Sequence, residues 1–286
     1  MDPNFGIDFL FFLTTNDPQL ARHAEEAGIE RIGPDLEILG KEARQGKHLD
    51  SQISRHTIED VDRIRSVLTK SEVFVRINPI HSRSADEIER VLEGGAQVIM
   101  LPMFRTVTEV SHFLSLVRGR AKPVLLVETP EAMMRIDEIL DVEGVQEVHV
   151  GLNDLSIGLK LDSRFEVLGS DIMDGLAEAI RKRNLPYGFG AMARPNDSTL
   201  PIPPDQVIGE VVRLGASRAS VSRYFFPQNQ EPFDFDQEIH RVRERIAYWR
   251  TASPESLKKN RQALRESVRK YRETNPSLPF RKGEFF

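Results

Sequence analysis

The chain alternates short, unbroken apolar runs with longer stretches in which apolar residues recur every three or four positions. The short runs read as strands buried on both faces, and the periodic stretches as amphipathic helices. Ile7–Leu13 predicts a first strand, and Pro18–Ala27, closed by Gly28, a first helix. Further strands are predicted at 31–36, 72–77, 97–101, 123–127, 147–150, 187–191 and 218–222. Helices are predicted at 57–68, 84–93, 108–117, 170–183, 204–214 and 235–249. Another helix opens at Pro130, where a missing N–H costs little, and ends at Gly144. Thr57 reads as an N-cap with Asp60 as its acidic partner. Residues 41–54 are polar and unpatterned and predict a loop over one end of the sheet.

Eight successive β-then-α units predict an α/β chain with a parallel sheet and helices outside. The count of eight favours a closed (β/α)8 TIM barrel over an open, doubly wound sheet. No Gly-rich dinucleotide fingerprint follows the first strand, which also counts against the open sheet. Beyond the eighth unit, Leu257, Leu264, Val268 and Tyr271 recur at helical spacing among Arg, Lys and Glu. They predict an extra C-terminal helical extension, either a solvated surface helix or, the favoured reading, an arm docking on a neighbouring subunit. The expected division is a barrel catalytic domain at 1–250 and a helical arm and tail at 251–286.

Composition narrows the partners. With 286 residues and 40% hydrophobic positions the chain is long enough for such a barrel, which typically needs about 250. A net charge of −5 gives no general pull towards nucleic acid or an anionic membrane. There is no cysteine, hence no disulfide, thiolate metal site or Cys nucleophile. The N-terminal apolar run has neither a basic flank nor a small-residue cleavage site, and no run approaches the ~20 apolar residues of a membrane span. No membrane or nucleic-acid partner and a cytoplasmic location are expected.

The candidate chemistry gathers at strand ends. Glu128 stands where the strand 123–127 stops, and Asp154 follows the strand 147–150 in a Gly-Leu-Asn-Asp-Leu-Ser loop. They are 26 positions apart, about one βα unit. Singly, Glu128 is as well read as a helix-start acid and Asp154 as a turn residue. Together, at matching ends of a parallel barrel, they suit a hard divalent cation that keeps waters and takes substrate oxygens. Arg76 closes the strand 72–77 and offers a planar fork for a carboxylate, unless Asp35 or Glu37 pairs with it instead. Lys41, Arg44 and Arg55 belong to the loop after the second strand, and Arg194 and Arg223 end the last two strands, where a distal anion could be read. His48, His56 and His81 are near the mouth, and His149 lies within a strand with no pattern to say which way it faces.

The segment 122–161 (ETPEA, then DEILDVEGV, then HVGLNDLSIGL) resembles the HpcH/HpaI aldolase and citrate lyase β-subunit family. The resemblance extends over about residues 8–224 and implies a (β/α)8 barrel. It implies Glu128 and Asp154 as the protein ligands of Mg²⁺ or Mn²⁺, and Arg76 as the residue holding a pyruvate carboxylate or enolate. Pro102 and Met103, in an LPM segment, would shape the pocket wall beside Gly151, Leu152 and Asn153. The implied activity is that of a divalent-metal-dependent carbon–carbon lyase, a class II-type aldolase working on a 2-oxo acid through a pyruvate enolate. The implied assembly is a homo-oligomer, a trimer or hexamer. After PDLE, the fourth residue of the run that begins at Asp35 is Ile38, where the family has His or Asp. The proton-transfer residue is therefore missing from its place. Glu37 remains, either as a base near metal waters or, the preferred reading, as a brace for Arg76. Two alternatives stay open: an acyl-CoA lyase of the citrate or malyl type, and a barrel that binds oxo acids without turnover.

Overall fold

Eight apolar runs become eight parallel strands, hydrogen-bonded in sequence order and closed by pairing of the last with the first. They are β1 (Leu10–Thr14), β2 (Arg31–Gly33), β3 (Glu72–Arg76), β4 (Val98–Leu101), β5 (Lys122–Val127), β6 (Glu147–Val150), β7 (Tyr187–Met192) and β8 (Arg218–Val221). The computed structural model of the chain describes residues 9–45, 54–226 and 233–274. The result is the expected (β/α)8 TIM barrel. None of its described helices is long and apolar enough to cross a membrane.

The surrounding helices are α1 (Pro18–Glu26), α2 (Lys41–Gln45), α3 (Glu59–Arg65), α4 (Ser84–Glu93), α5 (Val107–Val117), α6 (Pro130–Met134) and α7 (Ile136–Leu140). They continue with α8 (Leu152–Gly158), α9 (Arg164–Gly169), α10 (Asp171–Lys182), α11 (Pro204–Leu214), α12 (Phe235–Thr251) and α13 (Pro254–Thr274). Four details differ from the sequence expectation. Part of the supposed loop after β2 is the short helix α2, because Lys41 and Arg44 find buried carboxylate partners that fix it. The helix expected from Pro130 breaks at Arg135 (φ −110°, ψ 17°) into α6 and α7. The loop bearing Asp154 is itself helical, as α8, and α9 follows it. Thr57 does not cap α3; instead its N–H donates to the Asp60 carboxylate at 2.8 Å, which is half of the expected box.

Two apolar layers hold the barrel. The larger lies between strands and helices. The smaller lies inside the barrel and consists of Phe12, Phe74, Val98, Met100, Val124 and Leu126. Below it the strand starts supply charge. Arg31, fully buried, donates to Glu72 at 2.8 Å and to Glu147 at 2.5 Å, and Arg218 stands 3.6 Å from Glu147. Arg31 also lies over the Phe12 ring, 5.0 Å from its centroid. This ionic plug closes the N-terminal end, so the interior opens only where the strands end. Lys122 sits at that closed end, 3.4 Å from Glu72.

The C-terminal extension exists, and its apolar side faces its own barrel. Leu264 and Val268 of α13 are buried against the core, and Asn260 donates to the Gln206 carbonyl of α11 at 2.9 Å. Arg265 reaches the Gly169 carbonyl at 2.7 Å and Asp171 at 2.6 Å. Leu264 and Val268, two of the four residues that predicted this helix, therefore pack within the chain.

Candidate active site

Strand geometry aims the site. Alternate residues of a strand face the same way, so Phe12 and Thr14, Phe74 and Arg76, and Leu126 and Glu128 point in pairs into the barrel. They line a cavity of about 260 Å³ at the C-terminal mouth, together with Gly151, Leu152, Asn153 and Asp154 from the β6 end. Glu128, Asp154 and Arg76 thus meet at one cavity, as the sequence suggested. Gly151 is needed there: a Cβ on it would lie 2.5 Å from Glu128 Oε2 and 2.7 Å from Glu128 Cβ. Glu128 accepts a hydrogen bond at 3.1 Å from the N–H of Met103. Met103 holds the left-handed conformation (φ 56°), unusual for a non-glycine residue, to aim that donor. Met103 therefore braces the carboxylate from behind, and neither it nor Pro102 lines the cavity.

Arg76 is pinned by a carboxylate. Its Nε and Nη2 donate to the two oxygens of Asp35 at 2.7 and 2.5 Å, a bidentate pair that uses two of its five donors. Asp35 also accepts from Lys41 Nζ at 2.8 Å. Glu37, expected as the brace for Arg76, stands 3.7 Å from it, and Asp35 does that work. Glu37 is fully buried and lies outside the cavity lining. Its nearest cations are Arg44 at 2.6 Å and Lys41 at 3.3 Å. Arg44 bridges further: its Nε donates to Asp154 Oδ1 at 2.6 Å. The mouth thus holds four carboxylates (Asp35, Glu37, Glu128, Asp154) interleaved with three cations (Lys41, Arg44, Arg76).

A sequence profile of the HpcH/HpaI aldolase/citrate lyase family matches residues 9–183, more than half of the chain. The chain belongs to the HpcH/HpaI aldolase/citrate lyase family. An HpcH/HpaI aldolase from Desulfitobacterium hafniense DCB-2 superposes with a TM-score of 0.57 at 19% identity, covering 75% of this chain and 86% of the other. An HpcH/HpaI aldolase/citrate lyase family protein from Burkholderia cenocepacia J2315 gives 0.57 at 17% identity, covering 75% and 88%. Citrate synthase SbnG gives 0.56 at 17% identity, covering 76% and 87%. At such identities these likenesses speak for the fold. No curated protein sequence matches the chain.

In this family member the electrostatics single out Glu128. Burial pushes its proton affinity well up, and the neighbouring Glu37 and Asp154 carboxylates push it further, against Arg76 and Arg44. Asp35 goes the other way. Burial alone would raise it, but Arg76 and Lys41 hold it well below the usual carboxylate range. Glu128, a buried carboxylate crowded by two others, is short of countercharge. Hard carboxylate oxygens short of positive charge fit Mg²⁺ or Mn²⁺ in type. Among the described residues no group of three or more Asp, Glu and His side chains gathers to hold a metal unaided. Glu128 and Asp154 would need waters and substrate oxygens to complete a coordination shell, and Arg44 already occupies one oxygen of Asp154.

The remaining candidates divide. His56 accepts from the Asp35 N–H at 2.9 Å, and burial lowers its pKa. His81 pairs with Glu87 at 3.0 Å. Arg194 pairs with Asp197 at 2.5 Å and does not line the cavity, while Arg223 does, beside Tyr224. Arg55 is likewise outside the lining, and His48 falls outside the described residues. Arg164, Tyr224 and Ser220 line the cavity without any sequence signal to announce them.

Proposed function

We propose that this chain is a divalent-metal-dependent carbon–carbon lyase, a class II-type aldolase acting on a 2-oxo acid through a pyruvate enolate. The observation that supports it most is the convergence of buried Glu128 and Asp154 with the pinned Arg76 on one cavity. Mg²⁺ or Mn²⁺ held by Glu128 and Asp154 would supply a Lewis acid for the carboxylate and keto oxygens of the substrate. Arg76 orients that carboxylate, because Asp35 fixes its plane. It also offers N–H donors to the oxygen on which negative charge grows as the C–C bond breaks. The apolar interior of Phe12, Phe74, Met100 and Leu126 keeps water from the reacting carbon. The same reading has the chain as a homo-oligomer, a trimer or hexamer. Ile38 and Leu39, exposed beside the mouth, support it, and light scattering tests it.

The experiment is deuterium exchange into the methyl group of pyruvate in D₂O, with Mg²⁺ or Mn²⁺, with EDTA, and with Glu128→Ala. Metal-dependent exchange that the variant loses is the expected result. No exchange despite bound metal would refute the enolate reading and move the weight to a thioester substrate or a binding role.

A further inference from the structure

His149 has no work in the account so far, yet its position is costly. It lies on β6 opposite Leu126 of β5 in the ladder and shares the inward face with it. It is only 4% exposed and lines the cavity, its ring 5.2 Å from that of Phe12. Neither ring nitrogen has a hydrogen-bond partner. A buried imidazole with both nitrogens unsatisfied is destabilising, and native proteins keep few such groups without a use. The walls around it are not uniform. Towards β1, β3, β4 and β5 they are Phe12, Phe74, Met100 and Leu126. Towards β7 and β8 they are Gly190, which leaves room, and Ser220, which brings a hydroxyl.

We infer that His149 reads an uncharged oxygen, a hydroxyl or carbonyl, on the part of the ligand that reaches below the strand ends, and so helps to choose among oxo acids or their aldehyde partners. The inference rests on the oxo-acid reading above. A neutral imidazole suits it, since one nitrogen donates and the other accepts. Burial, with Arg76 and Arg31 nearby, keeps His149 neutral by pushing its pKa down to about 3. A carboxylate at that depth would face a largely apolar wall, and Arg31, beneath it, already pairs with Glu72 and Glu147. The apolar half-wall would take the ligand's hydrocarbon edge.

The test uses two pairs of probes that differ by a hydroxyl in place of a methyl: 3-hydroxypyruvate against 2-oxobutanoate, and glycolaldehyde against propanal. Each is titrated with Mg²⁺ present into nitrogen-15 histidine-labelled protein, His149→Phe and His149→Gln. The His149 signal is assigned by its absence from the variants. The expected result is that the hydroxyl member of at least one pair moves the His149 resonance and its methyl partner does not. His149→Phe should then weaken binding of that hydroxyl ligand by roughly 10-fold or more, the worth of one buried hydrogen bond, and leave the methyl partner within about threefold. His149→Gln, which keeps a donor and an acceptor, should recover part of the loss. Equal binding of both members by wild type and His149→Phe, or a resonance that no probe moves, would overturn the inference and leave the oxo-acid reading standing. If neither oxo acid binds the metal-loaded protein, the oxo-acid reading fails, and the inference with it.

Discussion

Arg44→Met is the change that most directly probes the balance of charge at the mouth. Arg44 donates to Asp154 and Glu37, both at 2.6 Å, and its side chain is only 18% exposed. Without it, four carboxylates face two cations instead of three. Removing one partner of a buried pair typically costs about 3–5 kcal/mol; partial exposure of Arg44 brings the expectation to about 2–3 kcal/mol. For a chain of this size that is a fall in Tm of about 3–5 °C, measured in EDTA. Metal should then act in opposition. In the wild type a cation approaching Asp154 competes with the guanidinium; in the variant it does not. If that competition is worth about 1.4 kcal/mol, Mn²⁺ binding followed by calorimetry tightens about tenfold in Arg44→Met. Saturating Mg²⁺ should also restore most of the lost Tm. A metal-free Tm within 1–2 °C of wild type, or weaker Mn²⁺ binding, would sink the argument.

Glu128→Gln should stabilise the metal-free protein at pH 7 by about 1 kcal/mol while abolishing pyruvate exchange, because it removes a crowded charge from an apolar site. Since the folded pKa of Glu128 lies above its unfolded value, protonation of Glu128 supports the fold at low pH, and that support is lost as pH rises. Wild type minus Glu128→Gln stability should therefore increase from pH 7 to pH 5 in EDTA melts, and a flat difference would contradict the assignment. His149 titrates with the opposite sense. Its folded pKa of about 3 lies below the unfolded 6.5, so its contribution is present above 6.5 and is lost as pH falls towards 3. His149→Phe should remove about 2 kcal/mol of the stability lost between pH 6.5 and pH 5, read by urea unfolding at both pH values; an unchanged slope would place the imidazole in water. Leu264→Ala should cost about 2–4 kcal/mol and expose the chain near Ala252 to limited proteolysis, as α13 loosens from α11. A variant that resists protease like wild type would show that the ion pairs of α13, Arg261 with Asp174 and Arg265 with Asp171, hold the helix by themselves.

The barrel was legible because most of its strands have buried, apolar interiors. Runs such as Val124–Val127 have no polar residue to blur them, and Pro and Gly punctuate the helices between. Glu128 and Arg76 were legible for the same reason, being the first charged residues after apolar runs. The partners were not. That Asp35 rather than Glu37 would pin Arg76 depends on the turn after β2, where a single isolated bridge pairs Asp35 with Arg76. That Lys41 and Arg44 would form a helix depends on carboxylates from the turn after β2 and from α8, separated from Arg44 by up to 110 positions. His149 stayed undecided because β6 is buried on both faces, so period-two alternation carries no sign. The break at Arg135 and the helical state of Leu152–Gly158 are tertiary outcomes that local propensity does not fix.

The ionic plug beneath the barrel also bears on how the chain comes off the ribosome. Arg31 leaves early, but Glu147, one of the two carboxylates it contacts, is made 116 residues later. Until then Arg31 has only Glu72, which is itself partly exposed, and the lower barrel stays hydrated. An N-terminal half ending after β4 cannot dry its own base, because a buried guanidinium lacking part of its countercharge is worse than a solvated one. The base of the barrel therefore dries only once β6 is made, and the ring itself closes later still, when β8 pairs with β1.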